Sequence, residues 1–205
     1  MKILNLYAGI GGNRKLWTPN GDDHEITAVE LDPNIAKIYQ DFFPKDQVIV
    51  ADAHQYLLEH FKEYDFIWSS PPCPSHSRVR MWGWKNSDKV KKMYPDMKLY
   101  EEIIFLKNYY NGKYLIENVI SYYPPLIEPQ KIGRHYFWSN ILIPNIEHKK
   151  SDINRGTRKS WEENIGLSLR GHYVGQRTDR VLRNCVEPEL GKHILDCMIK
   201  PNTLL

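Results

Sequence analysis

Apolar, β-branched runs alternate with stretches of helical spacing through the first two-thirds of this chain. Residues 2–7, 25–30, 48–50, 64–69 and 113–117 read as strands, and a glycine turn with a short helix follows the first of them. Residues 33–43 place Ile35, Ile38 and Phe42 at helical spacing, and residues 54–61 and 100–108 read as further helices. Strand–helix alternation of this kind predicts an α/β fold, a mostly parallel sheet with helices on both faces. Ligands of such sheets bind beyond the carboxyl ends of the strands. Residues 134–143 read as one more strand. Residues 144–180 then change character, rich in Asn, Gly, Arg and His and weak in periodicity. Residues 185–199 regain helical spacing through Val186, Leu190, Ile194 and Met198, with Pro188 in the first turn, where a missing N–H is tolerated.

A chain of 205 residues can bury one real core and carry a small appendage. The pattern divides it into a main body at residues 1–143, a short insert at 144–180 and a closing helix at 181–205. No apolar run approaches a membrane span and no signal-peptide pattern opens the chain, which suggests a soluble, cytoplasmic protein. Cys73, Cys185 and Cys197 are odd in number and lack CxxC spacing, against both a disulfide framework and a zinc site. The net charge of +3 is unevenly spread. Residues 78–98 hold seven Lys/Arg against two Asp, and residues 147–183 hold nine against five acids, on an otherwise acidic body. Two basic segments fit a surface that neutralises phosphates, although solvated lysine-rich loops would look the same.

The candidate chemistry falls at strand ends. Tyr7-Ala8-Gly9-Ile10-Gly11-Gly12 follows the first strand, where glycines let the backbone turn tightly and approach a ligand. Its spacing is not the GxGxxG of a dinucleotide site, which disfavours a nicotinamide oxidoreductase. Glu30 ends the second strand, the place from which an acid accepts hydrogen bonds from ribose hydroxyls. Ser70-Pro71-Pro72-Cys73 follows the fourth strand and leads into a basic stretch containing Trp82 and Trp84. Glu117-Asn118-Val119 ends the fifth. Cysteine offers a strong nucleophile that is also a workable leaving group, provided the site favours its thiolate; Arg78 and Arg80 are the cations nearest in sequence.

In this order the motifs resemble the DNA cytosine-5 methyltransferases, from residue 3 to about residue 143 and again from about residue 181. The resemblance implies a Rossmann-like S-adenosylmethionine-dependent methyltransferase fold. In it, Cys73 attacks C6 of a flipped cytosine, Glu117 donates to N3 of the base, Asn118 orients the Cys73 loop, and Arg134 contacts base and backbone. Here Arg134 stands one position off the family's arginine pair, with His135 in the second place. A one-residue shift along a strand changes the face. For the cofactor the resemblance implies residues 7–12, Glu30, Leu31, Asp52, Pro71, Asn184 and Val186. For the nucleic acid it implies Ser77 and Arg78, with Arg80, Lys89 and Lys91 on a closing loop; in the insert, outside the resemblance, the basic Arg155, Arg158 and Arg177 are the candidates for base contacts.

The implied function is transfer of a methyl group from S-adenosylmethionine to C5 of cytosine in double-stranded DNA, without a metal. The small size suggests a phage or mobile-element member, with restriction–modification, host-defence evasion and regulation as open roles. Residues 144–180 are too few for an independent recognition domain, so the enzyme reads a very short site, has little sequence preference, or relies on a partner chain. Modification of tRNA is the alternative. A non-catalytic nucleic-acid-binding subunit of a split methyltransferase is another, against which the intact Cys73 and Glu117 speak.

Overall fold

The computed structural model describes residues 1–17, 24–79, 93–146, 156–172 and 178–200. Its strands are β1 (Lys2–Leu6), β2 (Glu25–Glu30), β3 (Gln47–Val50), β4 (Phe66–Ser69), β5 (Lys113–Val119), β6 (Gln130–Ile132) and β7 (His135–Ser139). They form one sheet in the order β3-β2-β1-β4-β5-β7-β6. The first five strands pair in parallel, and β7 runs antiparallel to both β5 and β6. The helices are α1 (Pro33–Phe42), α2 (Ala53–His60), α3 (Lys98–Tyr109), α4 (Arg158–Ile165), α5 (Thr178–Arg183) and α6 (Pro188–Ile199). The predicted helix-covered, mostly parallel sheet is therefore present.

Alternate strand residues point to opposite faces, and both faces are apolar. On one, Ile3, Phe66, Trp68, Leu115 and Phe137 meet Val186, Leu190, Ile194 and Met198 at the C-terminal helix. On the other, Leu4, Leu6, Ile67, Ile116 and Trp138 meet Leu57 of α2 and Leu99, Ile103 and Leu106 of α3. Trp17 joins the first layer and donates from Nε1 to the Gly191 carbonyl at 3.1 Å, locking the segment after β1 onto α6. A buried bidentate pair fixes the same segment from its other side: Arg14 donates to Asp46 at 2.8 and 3.0 Å, and the Tyr39 hydroxyl donates to Asp46 at 2.9 Å.

Three elements differ from the sequence reading. Among the described residues no helix follows directly on the glycine turn; residues 7–17 form successive turns, closed by Gly11 N–H to Ala8 O and Arg14 N–H to Gly11 O. The left-handed backbone at Tyr7, Gly9 and Gly11 is incompatible with a right-handed helix starting there. The strand expected over 134–143 is the shorter β7, one arm of a hairpin whose tight turn uses Gly133 at φ 57°. The insert is more structured than its periodicity suggests. Thr157 and Ser160 cap α4 reciprocally, and Gly166 ends it at φ 67°. Ile165, Leu167, Leu169 and Leu182 then pack with Ile10, Ile38, Tyr39 and Phe43, laying this segment on α1 and the glycine loop. Among the described residues, no helix is long and apolar enough to cross a membrane.

Candidate active site

The carboxyl ends of β1, β2 and β3 build one half of the site. Gly9 sits at φ 55°, and a Cβ there would meet nothing within 4 Å, so the loop presents open space at this point. Gly12 is needed for the opposite reason: a Cβ there would come within 2.5 Å of the Cys185 Cβ. The Glu30 carboxylate accepts from the Gly9 and Asp32 amides, each at 3.0 Å, which fixes it at the loop's edge. A carboxylate has about four acceptor positions, so two amide bonds leave room for hydroxyl donors. Leu31 is 67% exposed and Val50 54% exposed, which leaves two apolar side chains open to a ligand at the ends of β2 and β3. Asp52 caps α2 by accepting from the Gln55 amide at 3.0 Å, and this bond chiefly holds its carboxyl below the usual range. Apolar side chains beside a carboxylate suit a flat aromatic amine.

Tyr7 carries a left-handed backbone, φ 55°, that a bulky residue adopts only when its side chain is held. Its hydroxyl donates to Glu102 Oε1 at 2.7 Å. Glu102, wholly buried on α3, also accepts from Ser69 Oγ at 2.6 Å and lies 3.1 Å from His54 Nδ1. This carboxylate thus joins the ends of β1 and β4 to α2 and α3. Burial, then the charge of Glu102, pushes the Tyr7 phenol far above its ordinary value.

The ends of β4, β5 and β7 build the other half. The Cys73 carbonyl accepts from the His76 and Ser77 amides at 3.0 and 3.1 Å, closing a turn immediately after the cysteine. Asn118 Nδ2 donates to the Pro71 carbonyl at 3.0 Å and so ties β5 to the Cys73 loop. Burial first, and the Glu117 charge second, push the thiol up to about 11. A backbone hydrogen bond, Arg134 and Arg180 act in the opposite sense. Arg78, the expected neighbour, donates instead to the Ser121 carbonyl at 3.1 Å.

Glu117 is 8% exposed, and its Oε1 lies 2.5 Å from His135 Nδ1. Val119 of β5 faces His135 of β7 in the register, and the sheet's alternation puts Glu117 and His135 on one face. Arg134, expected at the base, donates to Glu187 Oε1 and to the Cys185 carbonyl, both at 2.9 Å. His135 Nε2 stands 3.5 Å from Glu187 Oε2. His135, Glu187 and the Tyr7–Glu102 bond are the polar groups that sequence reasoning did not assign. The clue to the first was the histidine next to the displaced arginine.

The remaining expected residues are spread more widely. Val186 is buried against the sheet, while Asn184 is exposed after α5. Ser77 pairs with Ser121 in an isolated bridge, next to the Cys73 turn. Arg158 is engaged by Glu162, one helical turn on, at 3.0 Å. Arg80, Lys89, Lys91, Arg155 and Arg177 lie outside the described residues. No group of three or more His, Cys, Asp or Glu among the described residues is arranged to hold a metal ion.

Residues 1–121 match the family model for C-5 cytosine-specific DNA methylases. The chain is similar to the tRNA (cytosine(38)-C(5))-methyltransferase of Spodoptera frugiperda, 35% identical over 80 residues, which are 38% of this chain and 24% of that protein. It is also similar to the type II methyltransferase M.Bsp6I of Bacillus sp. (strain RFL6), 32% identical over 77 residues, again 38% of this chain and 24% of the relative. The matched stretches therefore span about a quarter of those relatives' length. A crystal structure of a Spodoptera frugiperda DNMT2 variant superposes with a TM-score of 0.39 at 29% identity, covering 58% of this chain and 35% of the other.

Proposed function

The chain belongs to the C-5 cytosine-specific DNA methylase family, and from that premise we propose that it methylates C5 of cytosine in DNA through a covalent bond to Cys73. The observation that carries this reading is the joining of the Cys73 loop to β5 by the Asn118–Pro71 hydrogen bond, with the Glu117 charge acting directly on the thiol. Nucleophile and acid thus share one rigid support, the arrangement that addition to a base requires.

S-adenosylmethionine fits the other half of the site and would supply an electrophilic sulfonium methyl. The open space at Gly9, the Glu30 carboxylate, and the exposed Leu31 and Val50 beside Asp52 suit its chain, ribose and adenine in turn. In the base half, Cys73 attacks C6 as the thiolate. Glu117 passes a proton to N3 as the C5–C6 π electrons move through C4 toward that nitrogen. C5 then has the electron density to take the methyl, after which loss of the C5 proton expels the thiolate. Because the resting thiol is held up at about 11, the nucleophile forms chiefly when substrate is in place. The resting site thus holds the less reactive thiol.

A duplex carrying 5-fluorocytosine should trap wild-type protein covalently in the presence of S-adenosylmethionine, because fluorine cannot leave as a proton does. Cys73→Ser should bind without trapping. Methylation without any adduct would remove Cys73 from the chemistry. The similarity to a tRNA methyltransferase supports RNA as a second substrate class. Labelled-methyl transfer to duplex DNA, single-stranded DNA and tRNA, followed by base-resolution mapping, separates the two. Label in tRNA alone would replace the DNA reading.

A further inference from the structure

We propose that His135 is the proton reservoir of Glu117, supplying the proton that the carboxyl gives to the base; this rests on the reading of Cys73 and Glu117 above. The geometry is a line of four groups, buried at Glu117 and His135 and half-buried at Glu187 and Arg134: Glu117 Oε1 2.5 Å from His135 Nδ1, His135 Nε2 3.5 Å from Glu187 Oε2, and Glu187 Oε1 2.9 Å from Arg134 Nε. His135 is 3% exposed, so exchange with solvent is poor and its proton traffic runs through these neighbours. The groups that face it are Glu117 from β5, Arg134 from the β6–β7 turn and Glu187 from the turn before α6. Beyond Glu117 lie the Cys73 thiol and, from α5, the charge of Arg180. With both carboxylates ionised, an imidazolium and Arg134 make the line neutral, the condition for burying charge at low cost. Burial alone would lower the imidazole, but the charge and hydrogen bond of Glu117, with Glu187 at 3.5 Å from Nε2, raise it overall.

As the base enters, the Cys73 S–H proton passes to Glu117 Oε2, so that before addition Cys73 is thiolate, Glu117 is neutral, and His135 is imidazolium, Nδ1–H toward Glu117 and Nε2 toward Glu187. The sulfur–C6 bond forms, the C5–C6 π pair shifts to C4–C5, and the C4–N3 π pair moves onto N3. Oε2–H passes to N3 while Nδ1–H passes to Oε1. Glu117 ends neutral as it began, and His135 ends neutral with its proton on Nε2. The thiolate's negative charge has been cancelled by the imidazolium's positive one. After methyl transfer the N3 proton returns along the same line. A fixed-charge donor in this place could orient Glu117 but could not refill it, so His135 acts through Glu117 as a positioning and proton-holding residue.

Two measurements test this. Nitrogen-15 spectra of histidine in the wild-type protein should show both ring nitrogens of His135 protonated at a pH where an ordinary imidazole, near 6.5, has largely lost its proton. Glu117→Gln should move that titration down. A His135 that stays neutral at pH 6, or that ignores Glu117→Gln, overturns the proposal whether or not any substrate is known. In single-turnover methylation, His135→Gln should keep nucleic-acid binding, slow the chemical step by roughly 100-fold or more, and lose the alkaline fall of the wild-type rate. His135→Arg should restore the charge and the hydrogen bond without restoring the pH limb. A wild-type pH profile surviving in either variant would overturn the proposal. Failure of 5-fluorocytosine trapping in wild type would instead overturn the reading of Cys73, leaving the His135 titration to be judged alone.

Discussion

At Cys73 two influences compete over one sulfur. Burial and the neighbouring Glu117 hold the proton on, while Arg134, Arg180 and a backbone donor pull it off, and the balance lies at about 11. Alkylation by iodoacetamide should therefore be slow at neutral pH and climb as the pH approaches that value. Glu117→Gln removes the repelling charge, so its alkylation curve should shift to lower pH even as methyl transfer falls. Alkylation mapped to Cys73 by mass spectrometry checks this, since Cys185 is held still higher, at about 12, by its burial. An unshifted curve in Glu117→Gln would mean that the carboxyl does not act on the thiol. Opposite effects of one substitution on reactivity and on catalysis would distinguish an acid for the base from a mere neighbour.

At the scale of elements, Asp52 serves α2 and the candidate adenine site together. Asp52→Asn should keep the helix cap, since Asn caps as well as Asp, yet place an amide donor against an amine and weaken S-adenosylmethionine binding. Asp52→Ala should lose both, with a stability cost of about 1 kcal/mol. Calorimetric titration alongside denaturant melts separates the two effects. The elements themselves were legible to different degrees, for physical reasons. β1 and β4 are buried almost throughout, so their apolar runs stood out in the sequence. α4 buries little beyond Ile165, which is why periodicity missed it; its signal was local, in Thr157, Ser160 and Gly166. Of the site, Cys73, Glu117, Glu30 and Asp52 were visible as motifs after strands. The meeting of His135 with Glu117 was not, because it depends on the register of an antiparallel pair, which periodicity does not fix. Arg134 shows the same limit, being engaged by the turn ahead of α6.

For the molecule as a whole, the line from Glu117 to Arg134 links titration to stability. Burial alone would raise the Glu187 carboxyl, but His135 and Arg134 draw it far below the usual range. Its contribution is therefore complete above the unfolded carboxylate value and is lost as pH falls through the depressed folded one. His135 is raised, so its contribution is complete below the unfolded imidazole value and is lost as pH rises through the folded one. Melting temperature should accordingly form a plateau that falls on both sides. Glu187→Gln should blunt the acid fall and His135→Gln the alkaline one, as read by calorimetric scans from about pH 3 to about pH 9. Scans in which neither variant alters its own side would detach the cluster from stability.

The packing of α6 has a consequence in time. Ile3, Phe66, Trp68, Leu115 and Phe137 are all made early by a ribosome, yet the face they form is covered by residues 186–198. Glu187, which completes the line behind Glu117, is made equally late. A nascent chain thus holds Cys73 and Glu117 through about 70 residues of synthesis before Glu187 is added. The cover over this face arrives only with α6. The corresponding expectation is that fragments 1–146 and 156–200, each inert alone, recover a cooperative melt when mixed, because the missing surface is shape-matched and apolar. A melt of the mixture equal to the sum of the separate fragments would refute it.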